Sequence, residues 1–291
     1  ISIITNLDIE HLDYYKSLEK LNSAFEQFIK NLPFYGISII NEDDKNLKKL
    51  ILKNDTRKII SYSNKNKNVN VYIEEVNLLK NYSEFKLKFN FPINKFSGTH
   101  LYKIKAIGLH NIYNATASII AGLLAGVKNS YIKSALINYI GVKRRFTHIG
   151  KVNLSNIYDD YAHHPTEILA TLKGSKQVNK NIIVVFQPHR YSRTKILFNE
   201  FVYVLSQINR LYLLETYAAG EKKIKGFETK DIYNKLKKLK KNEVYFEKDN
   251  LNKIILAETY RRNIIIFMGA GSISKIASNF VKINEWHNLR N

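Results

Sequence analysis

Hydrophobic positions in the first half of the chain change their spacing from one segment to the next. Residues 1–6, ISIITN, contain three isoleucines and predict a core strand, and residues 17–32 repeat apolar side chains at helical spacing. Residues 58–91 instead alternate apolar and polar positions, with the apolar ones at Val69, Val71, Ile73, Phe85, Leu87, Phe89 and Phe91. Strict alternation is typical of strands with one exposed face. We therefore predict a partly antiparallel sheet in this half.

Apolar segments in the second half are short, continuous and separated by helical patterns. The predicted strands are residues 155–158, 181–186, 210–214, 243–247 and 263–268. Strands that alternate with helices predict a parallel, doubly wound sheet joined by right-handed crossovers. The fold class is therefore α/β, and a length of 291 residues suits two domains. We place them at residues 1–142 and 143–291.

Composition disfavours several classes of protein. The formal net charge is +21, yet only nine of the 46 basic residues are Arg, and the Lys residues are scattered among Asn, Ile and Tyr. We therefore predict no nucleic-acid partner. Strong binding to random duplex DNA at about 0.15 M salt would contradict this prediction. Without cysteine, neither a disulfide framework nor a thiolate metal site is possible, and the cytoplasm is the expected location. The longest apolar stretch, residues 115–127, is too short to span a bilayer, so we predict a buried helix and no membrane insertion.

The densest cluster of reactive side chains lies at residues 158–167, YDDYAHHPTE. It places two carboxylates and two imidazoles directly after a predicted strand, and Pro165 with Glu167 predicts the first turn of a helix. In open α/β sheets, ligands bind at such strand ends. From the residues alone, a catalytic site, a metal site and a polar turn all remain open.

A second cluster lies at residues 186–194, FQPHRYSRT, between an apolar strand and a predicted helix. If Arg190 and Arg193 lie in the first helical turn, their spacing places both guanidinium groups on one side, where they can hold one carboxylate. Two positive charges at the positive end of a helix are costly without an anion. An anionic ligand is therefore the favoured interpretation, and a basic surface patch is the alternative.

Both clusters resemble motifs of the UDP-N-acetylmuramate–L-alanine ligases, which belong to the Mur ligase family. DDYAHHPTE resembles D-D-Y-G-H-H-P-T-E, with Ala162 where the family usually has Gly, and FQPHRYSRT resembles F-Q-P-H-R-[YF]-[ST]-R-T. Residues 216–221, TYAAGE, and the Gly-Ala-Gly segment that starts at Gly269 resemble later elements of the same family. The related anhydromuropeptide-recycling ligases differ at the F-Q-P-H-R segment, so the resemblance favours the alanine-adding ligases.

The resemblance implies a Mur-type central ATPase domain followed by a Rossmann-like C-terminal domain that binds the amino acid. It also implies ATP-dependent joining of L-alanine to UDP-N-acetylmuramate, through an acyl phosphate, in peptidoglycan precursor synthesis. Carried over to this chain, His163, Arg190 and Arg193 would surround L-alanine. Asp160 would be the family's invariant acid, a catalytic residue that supports the nucleotide at the domain junction, and Tyr161 would bind ATP there. In GVKRRF, which resembles G-x-x-R-R-F, Arg145 would belong to the nucleotide site and assist catalysis; the alternative is a basic linker.

Two further resemblances imply the cofactors ATP and Mg²⁺. NLDIEHLDYY resembles an element of the central domain in which a His helps to hold the second magnesium ion, which assigns that role to His11. GLHNIYNA resembles the G-x-H-N-x-x-N-A motif beside the adenine nucleotide, which assigns His110, Asn111 and Asn114 to ATP. From the residues alone, an amide-capped helix start explains the second motif equally well.

The phosphate loop pattern G-x-x-x-x-G-K-[ST] does not occur in the sequence; Gly150 and Lys151 are followed by Val152. The resemblance places that loop before Ile1. We therefore expect a partial central ATP-binding domain and a complete third domain that together form no product. The alternative is a non-catalytic remnant that serves as a binding or partner module.

Overall fold

The computed structural model describes residues 1–8, 12–53, 58–79, 82–239, 243–246 and 250–288. The chain divides into two compact units, Ile1–Ile140 and Gly141–Asn291. No described helix has the length and apolar character needed to cross a membrane.

A mixed sheet flanked by helices forms the first unit. Its strands, which lie side by side in chain order, are β1 Ser2–Ile4, β2 Ile37–Asn41, β3 Lys58–Ser63, β4 Val71–Leu78, β5 Ser83–Ile93 and β6 Phe96–Ile104. Strands β1 to β4 are parallel, whereas β4–β5 and β5–β6 pair antiparallel. The helices are α1 Leu12–Tyr15, α2 Leu18–Lys30, α3 Lys45–Lys53, α4 Leu109–Leu124 and α5 Asn129–Ile137. The predicted partly antiparallel sheet is therefore confirmed.

Alternation along β5 fails at one position. Phe85, Leu87 and Phe89 are buried as predicted, but Phe91 is 61% exposed. The pairing of β5 with β6 shifts register between Phe89 and Ile93. Because side chains alternate with a period of two, an irregularity in register moves a side chain to the other face. The buried face of β5 therefore follows the alternation as far as Phe89 and departs from it at Phe91.

The predicted buried helix at residues 115–127 ends earlier than expected. Helix α4 stops at Leu124, and the chain then turns through Gly126, whose φ of +81° suits glycine. Val127 beyond the turn is 42% exposed, whereas Ile112, Ile119 and other side chains of α4 are buried. The apolar run in the sequence thus extends past the helix into its C-terminal turn.

A second sheet organises the other unit. Its strands are β7 Thr147–Val152, β8 Ser155–Asp160, β9 Ile182–Phe186, β10 Arg210–Leu213, β11 Glu243–Phe246 and β12 Ile264–Met268, in the order β11-β10-β9-β12-β8-β7. The neighbours are parallel except for β7 and β8. The helices are α6 Pro165–Val178, α7 Tyr191–Ile196, α8 Phe198–Leu205, α9 Thr229–Leu239, α10 Leu251–Glu258 and α11 Ile273–Asn288. The predicted strands are confirmed, while β7 was not predicted.

Both faces of this sheet are covered, as a doubly wound fold requires. Along β9, Val184 and Phe186 pack into one core, together with buried residues of α6, α8 and α9. Ile183 and Val185 point to the other face and pack with α10 and α11. Full burial of one such side chain stabilises the fold by about 1.5–3 kcal/mol. Apolar residues at every position of the strand are therefore explained.

Helices leave the neighbouring strands β9 and β12 toward opposite faces of this sheet. Helix α8 follows β9 into the first core, whereas α11 follows β12 into the second. The carboxyl ends of two such strands form the crevice in which open α/β sheets bind ligands. The segments that follow β8, β9 and β12 all begin at this edge.

Candidate functional site

Asp160, at the end of β8, is 2% exposed, and its carboxylate accepts three hydrogen bonds from other residues of the chain. Its Oδ2 accepts hydrogen bonds from the Phe146 amide at 2.8 Å and the Thr171 hydroxyl at 3.2 Å, and its Oδ1 accepts from the Ala162 amide at 2.7 Å. These three donors belong to the segment before β7, to helix α6 and to the loop after β8. The carboxylate therefore fixes the loop between β8 and α6 to the segment before β7 and to helix α6.

Burial raises the pKa of Asp160 to about 6, against the lowering effect of the Ala162, Phe146 and Thr171 hydrogen bonds and the charge of Arg145. Removing a carboxylate from water disfavours its charged form, whereas donated hydrogen bonds favour it. The group is mainly ionised at neutral pH.

We expect the stability of the wild-type chain relative to an Asp160→Asn variant to increase as the pH falls from 7 to 5. The folded-state pKa of about 6 lies above the ordinary value of 3.8, so between these values the folded protein binds more protons than the unfolded chain. The stability linked to this carboxyl is therefore present at low pH and lost as the pH rises through 6. Between pH 7 and pH 5, the difference in unfolding free energy between the wild type and the Asn variant should change by about 1 kcal/mol. Urea unfolding of both proteins at each pH measures it. A relative stability that stays constant or decreases would contradict it.

His164 and Glu167 cap the first turn of α6. The His164 Nδ1 atom accepts a hydrogen bond from the Thr166 amide at 3.3 Å, and Glu167 Oε2 accepts from the His163 amide at 3.1 Å. Glu167 Oε1 lies 3.0 Å from Nη1 of Arg145, whose side chain is 55% exposed. Such an exposed ion pair contributes only about 0–1 kcal/mol. Pro165 and Glu167 therefore start the helix as predicted, and Arg145 lies against that start.

His163 lies between this capping motif and the segment after β9. Its Nδ1 atom is 2.8 Å from the Tyr161 carbonyl oxygen, so this nitrogen donates, and it is 3.5 Å from Glu167 Oε2. The edge of its ring meets Tyr161, with the ring centroids 5.0 Å apart, and its centroid lies 6.0 Å from that of His189. The structure thus brings Tyr161 and His163 together with the second cluster.

Arg190 and Arg193 do not share a helical turn. Helix α7 starts at Tyr191, and Arg190 precedes it with φ 70° and ψ 132°. Nη1 of Arg193 donates to Nδ1 of His189 at 3.2 Å, while Nη1 of Arg190 lies 3.7 Å from Oε1 of Glu221. The i, i+3 geometry is therefore wrong in detail. Arg193 contacts the His189 imidazole, the His163 ring centroid lies 6.0 Å from it, and Arg190 is its neighbour in the chain. The three predicted amino-acid-binding residues therefore lie near one imidazole.

Glu221 supplies an internal anion that was missed as a site residue. Its Oε1 accepts from the Ser192 hydroxyl at 2.6 Å and its Oε2 accepts from the Ser192 amide at 3.0 Å, in the first turn of α7. Burial acts to raise the pKa of Glu221, but the Ser192 hydrogen bonds and the charge of Arg190 outweigh it and lower the pKa. Its place shortly after β10, at the same edge of the sheet, is the sequence signal that could have identified it.

His189 was also missed, although it stands in the quoted motif. Burial and, to a smaller extent, the nearby charges of Arg193, His163 and Arg190 together lower the pKa of His189 to about 4, while the charge of Glu221 opposes them. The ring stacks on Tyr217, with the centroids 5.5 Å apart and an angle of 10° between the planes. His189 is therefore neutral at physiological pH.

Close packing explains the glycine segment after β12. A Cβ atom on Gly271 would lie 2.6 Å from the Tyr217 ring, and one on Gly269 would lie 2.6 Å from the Gln187 carbonyl oxygen. The carbonyl oxygen of Gly269 accepts from Nη2 of Arg144 at 2.7 Å, and that guanidinium also lies 4.7 Å from the centroid of the Tyr161 ring. Arg144 thus joins the loops after β8 and β12, whereas the sequence assigned only its neighbour a role.

The nucleotide candidates of the first unit lie at the start of α4. His110 and Asn114 are exposed. The Asn111 side-chain amide donates to the Ile107 carbonyl oxygen at 2.7 Å, and no side chain caps Gly108, where the helix begins. The amide thus does not cap the helix by accepting a hydrogen bond. His11, the predicted magnesium ligand, lies outside the described residues, and in the described part of the chain no three His, Asp or Glu side chains could hold a metal ion.

Two family models match the chain. The Mur ligase middle domain matches residues 1–122, and the Mur ligase glutamate ligase domain matches residues 144–271. Curated relatives named UDP-N-acetylmuramate–L-alanine ligase are 39% identical in Rickettsia felis and 40% identical in Rickettsia typhi, each over 287 residues and 96% of this chain. These alignments cover 60% and 57% of the two relatives. The chain thus spans about 60% of the length of the curated relatives it matches.

Solved structures share the fold. The UDP-N-acetylmuramate-alanine ligase MurC of Thermotoga maritima superposes with a TM-score of 0.75 at 26% identity, covering 98% of this chain and 59% of that protein. MurF ligase of the same organism, solved in complex with ADP, superposes with a TM-score of 0.72 at 14% identity, covering 98% of this chain and 62% of that protein. The predicted α/β fold class is confirmed by these likenesses.

Proposed function

This chain belongs to the Mur ligase family, and from that premise we propose that it is part of an ATP-dependent ligase acting in the cytoplasm. The ligase joins L-alanine to UDP-N-acetylmuramate in peptidoglycan precursor synthesis. The observation that carries the proposal is the gathering of His163, Arg190 and Arg193 around His189 at the carboxyl ends of the sheet.

The basic cluster suits the carboxylate of a free amino acid. In this proposal, Arg190 and Arg193 bind the α-carboxylate of L-alanine, because guanidinium groups donate paired hydrogen bonds to carboxylates. Glu221 balances part of the positive charge and orients Arg190 through the contact at 3.7 Å. His163 and the neighbouring Tyr161 ring form the adjoining wall. The bound amine is thereby oriented toward the acyl group it attacks.

The proposed reaction proceeds in two steps that balance. A carboxylate oxygen of UDP-N-acetylmuramate attacks the γ-phosphorus of ATP, the bond to the leaving ADP breaks, and an acyl phosphate forms. The amine of L-alanine then attacks the acyl carbon, the carbon–oxygen bond to phosphate breaks, and the amine loses a proton as the amide forms. Activation is needed because a carboxylate is a poor acylating agent. Arg145 would stabilise negative charge on the phosphate groups.

Each unit, taken by itself, has its own nucleotide-binding candidates. In the first unit these are His110, Asn111 and Asn114 at the start of α4, where the His110 and Asn114 side chains are exposed. In the second unit the candidates are Arg145 and Tyr161. Asp160 acts as a positioning residue in this proposal, because its carboxylate is engaged by three groups of its own chain.

Magnesium would supply charge neutralisation at the phosphate groups. The described residues do not by themselves form a metal site, and the role of His11 rests on resemblance.

We propose further that the 291 residues alone form no product, because the sequence contains no G-x-x-x-x-G-K-[ST] phosphate loop. The purified chain, supplied with ATP, Mg²⁺, UDP-N-acetylmuramate and L-alanine, should release neither ADP nor UDP-N-acetylmuramoyl-L-alanine. Product at a rate above that of a reaction without protein would contradict this part.

A fusion protein tests the ligase function. It joins this chain to the part of the Rickettsia felis ligase that the alignment with this chain leaves uncovered. The fusion should form UDP-N-acetylmuramoyl-L-alanine, measured by chromatography and phosphate release. Arg193→Ala should reduce kcat/KM for L-alanine at least about 100-fold, since a charged hydrogen-bonding partner of the carboxylate is lost. Lys195→Ala is the matched control, because this exposed cation lies in the same helix and should change the rate less than about twofold.

A fusion that folds but forms no product would contradict the proposal, as would equal rates for the Arg193 and Lys195 variants. Binding of UDP-N-acetylmuramate or L-alanine without any turnover would favour the alternative of a non-catalytic binding module.

A further inference from the structure

We propose that His189 is a positioning residue whose neutral imidazole, held flat against Tyr217, accepts a hydrogen bond from Arg193 and fixes that guanidinium for a carboxylate ligand. The inference deepens the proposed function, on which only the identity of the ligand rests. The contact itself is a property of this chain.

The backbone around His189 is held on both sides by Tyr217. The Tyr217 amide donates to the Pro188 carbonyl oxygen at 2.8 Å, and the Arg190 amide donates to the Tyr217 carbonyl oxygen at 2.9 Å. His189 and Tyr217 thereby form a parallel bridge beyond the ends of β9 and β10. The stacked rings continue this pairing through the side chains. The imidazole therefore has little freedom to rotate away from Arg193.

The contact with Arg193 determines the tautomer of His189. A guanidinium has only donors, so Nδ1 of His189, 3.2 Å from Nη1 of Arg193, must carry no proton. The proton of the neutral ring then lies on Nε2. The groups that face the ring are Arg193, Arg190 and His163, which oppose a second proton, and Glu221, which favours one. The acceptor thus persists across the physiological pH range.

Backbone strain beside His189 separates the two arginines. Arg190 has φ 70° and ψ 132°, a conformation that costs a non-glycine residue on the order of 1–3 kcal/mol. Its carbonyl oxygen is held by the Thr194 amide at 3.2 Å and the Thr194 hydroxyl at 3.0 Å. Strained conformations persist where surrounding contacts over-determine them, and such sites are often functional. The result is that Arg190 is directed to Glu221 and Arg193 to His189, so each guanidinium has its own support.

Two substitutions at this position separate the acceptor from the ring. His189→Asn keeps an acceptor atom at the δ position without the aromatic ring. His189→Phe keeps a stacking ring but removes the acceptor. If His189 only packs against Tyr217, the Phe variant should resemble the wild type more closely than the Asn variant does. If His189 positions Arg193, the Asn variant should be the closer one in guanidinium rotation and in KM for L-alanine.

The first measurement is ¹⁵N NMR of the 291-residue chain with labelled histidine and arginine. We expect wild-type His189 to show the Nε2-protonated tautomer at pH 7 and to titrate with a pKa of about 4, below the ordinary value of 6.5. Arg193 should show restricted guanidinium rotation in the wild type and in His189→Asn, and averaged signals in His189→Phe. A wild-type Nδ1-protonated ring, or restricted Arg193 signals in the Phe variant, would overturn the proposal whatever the fate of the ligase assignment.

The second measurement uses the fusion enzyme described above. His189→Phe should raise KM for L-alanine about tenfold, leaving KM for ATP and kcat within about twofold, and His189→Asn should restore most of the affinity. An unchanged KM for L-alanine in the Phe variant would overturn the positioning role. If the fusion is inactive while the NMR pattern is as expected, the proposed function fails and the role of His189 in holding Arg193 is supported.

Discussion

Gly269→Ala should lower the free energy of unfolding of this chain by about 3 kcal/mol or more, since overpacking and an unfavourable backbone conformation act together. Gly269 has a φ of 148°, and a Cβ atom there would lie 2.6 Å from the Gln187 carbonyl oxygen. That oxygen belongs to backbone that cannot easily move, because the Gln187 amide donates to the Met268 carbonyl oxygen at 3.0 Å. Urea unfolding followed by circular dichroism measures the loss.

Gly174→Ala is the matched control for this prediction. Gly174 lies within helix α6, and among the described residues no atom outside the helix lies within 4 Å of where its Cβ would be. Alanine is favoured over glycine in a helix by about 1 kcal/mol, so this variant should be more stable than the wild type. Equal effects of the two substitutions, or a stable Gly269 variant, would show that the close approach of the Gln187 backbone is not what selects glycine.

Asp160→Ala should lower the free energy of unfolding by about 3 kcal/mol at pH 7. The substitution leaves the amides of Phe146 and Ala162 and the Thr171 hydroxyl without their acceptor, and each unsatisfied buried group costs about 1–3 kcal/mol. The loss is partly offset because a carboxylate that burial destabilises is removed. Thermal and urea unfolding measure the effect.

Thr171→Val provides the comparison for Asp160. It removes one of the three donors and keeps the shape of the side chain, so it should cost only about 1 kcal/mol. If Asp160→Ala costs no more than Thr171→Val, the carboxylate does not organise the loop between β8 and α6, and a direct role in binding a ligand becomes the better explanation of this buried acid.

Most strands of the second unit and the start of α6 could be predicted from the sequence, because short apolar segments and helix-start residues indicate them directly. Apolar runs such as residues 181–186 identified the strands, and Pro165 with Glu167 identified the start of α6. Strand β7 was not predicted because its sequence, THIGKV, contains a glycine and no continuous apolar run. Its pairing with β8 shifts register beside Gly150. A strand whose position depends on a partner carries little signal of its own.

The candidate site was predictable in its location and less so in its contacts. His163, Arg190 and Arg193 were named from the sequence, and the structure gathers them around His189. The partners of these side chains come from other segments. Glu221 and Tyr217 follow β10, and they meet the arginine segment only because β9 and β10 are parallel neighbours.

The alternation of strands and helices, the start of helix α6 and the chemical character of the two motifs could be predicted from local sequence, because each depends on residues close together in the chain. Tertiary contacts were needed to place Arg190 outside helix α7 and to pair Arg193 with the His189 imidazole. They were also needed to show that Asp160 is buried. These outcomes depend on hydrogen bonds and burial between segments far apart in the chain, and local patterns do not contain that information.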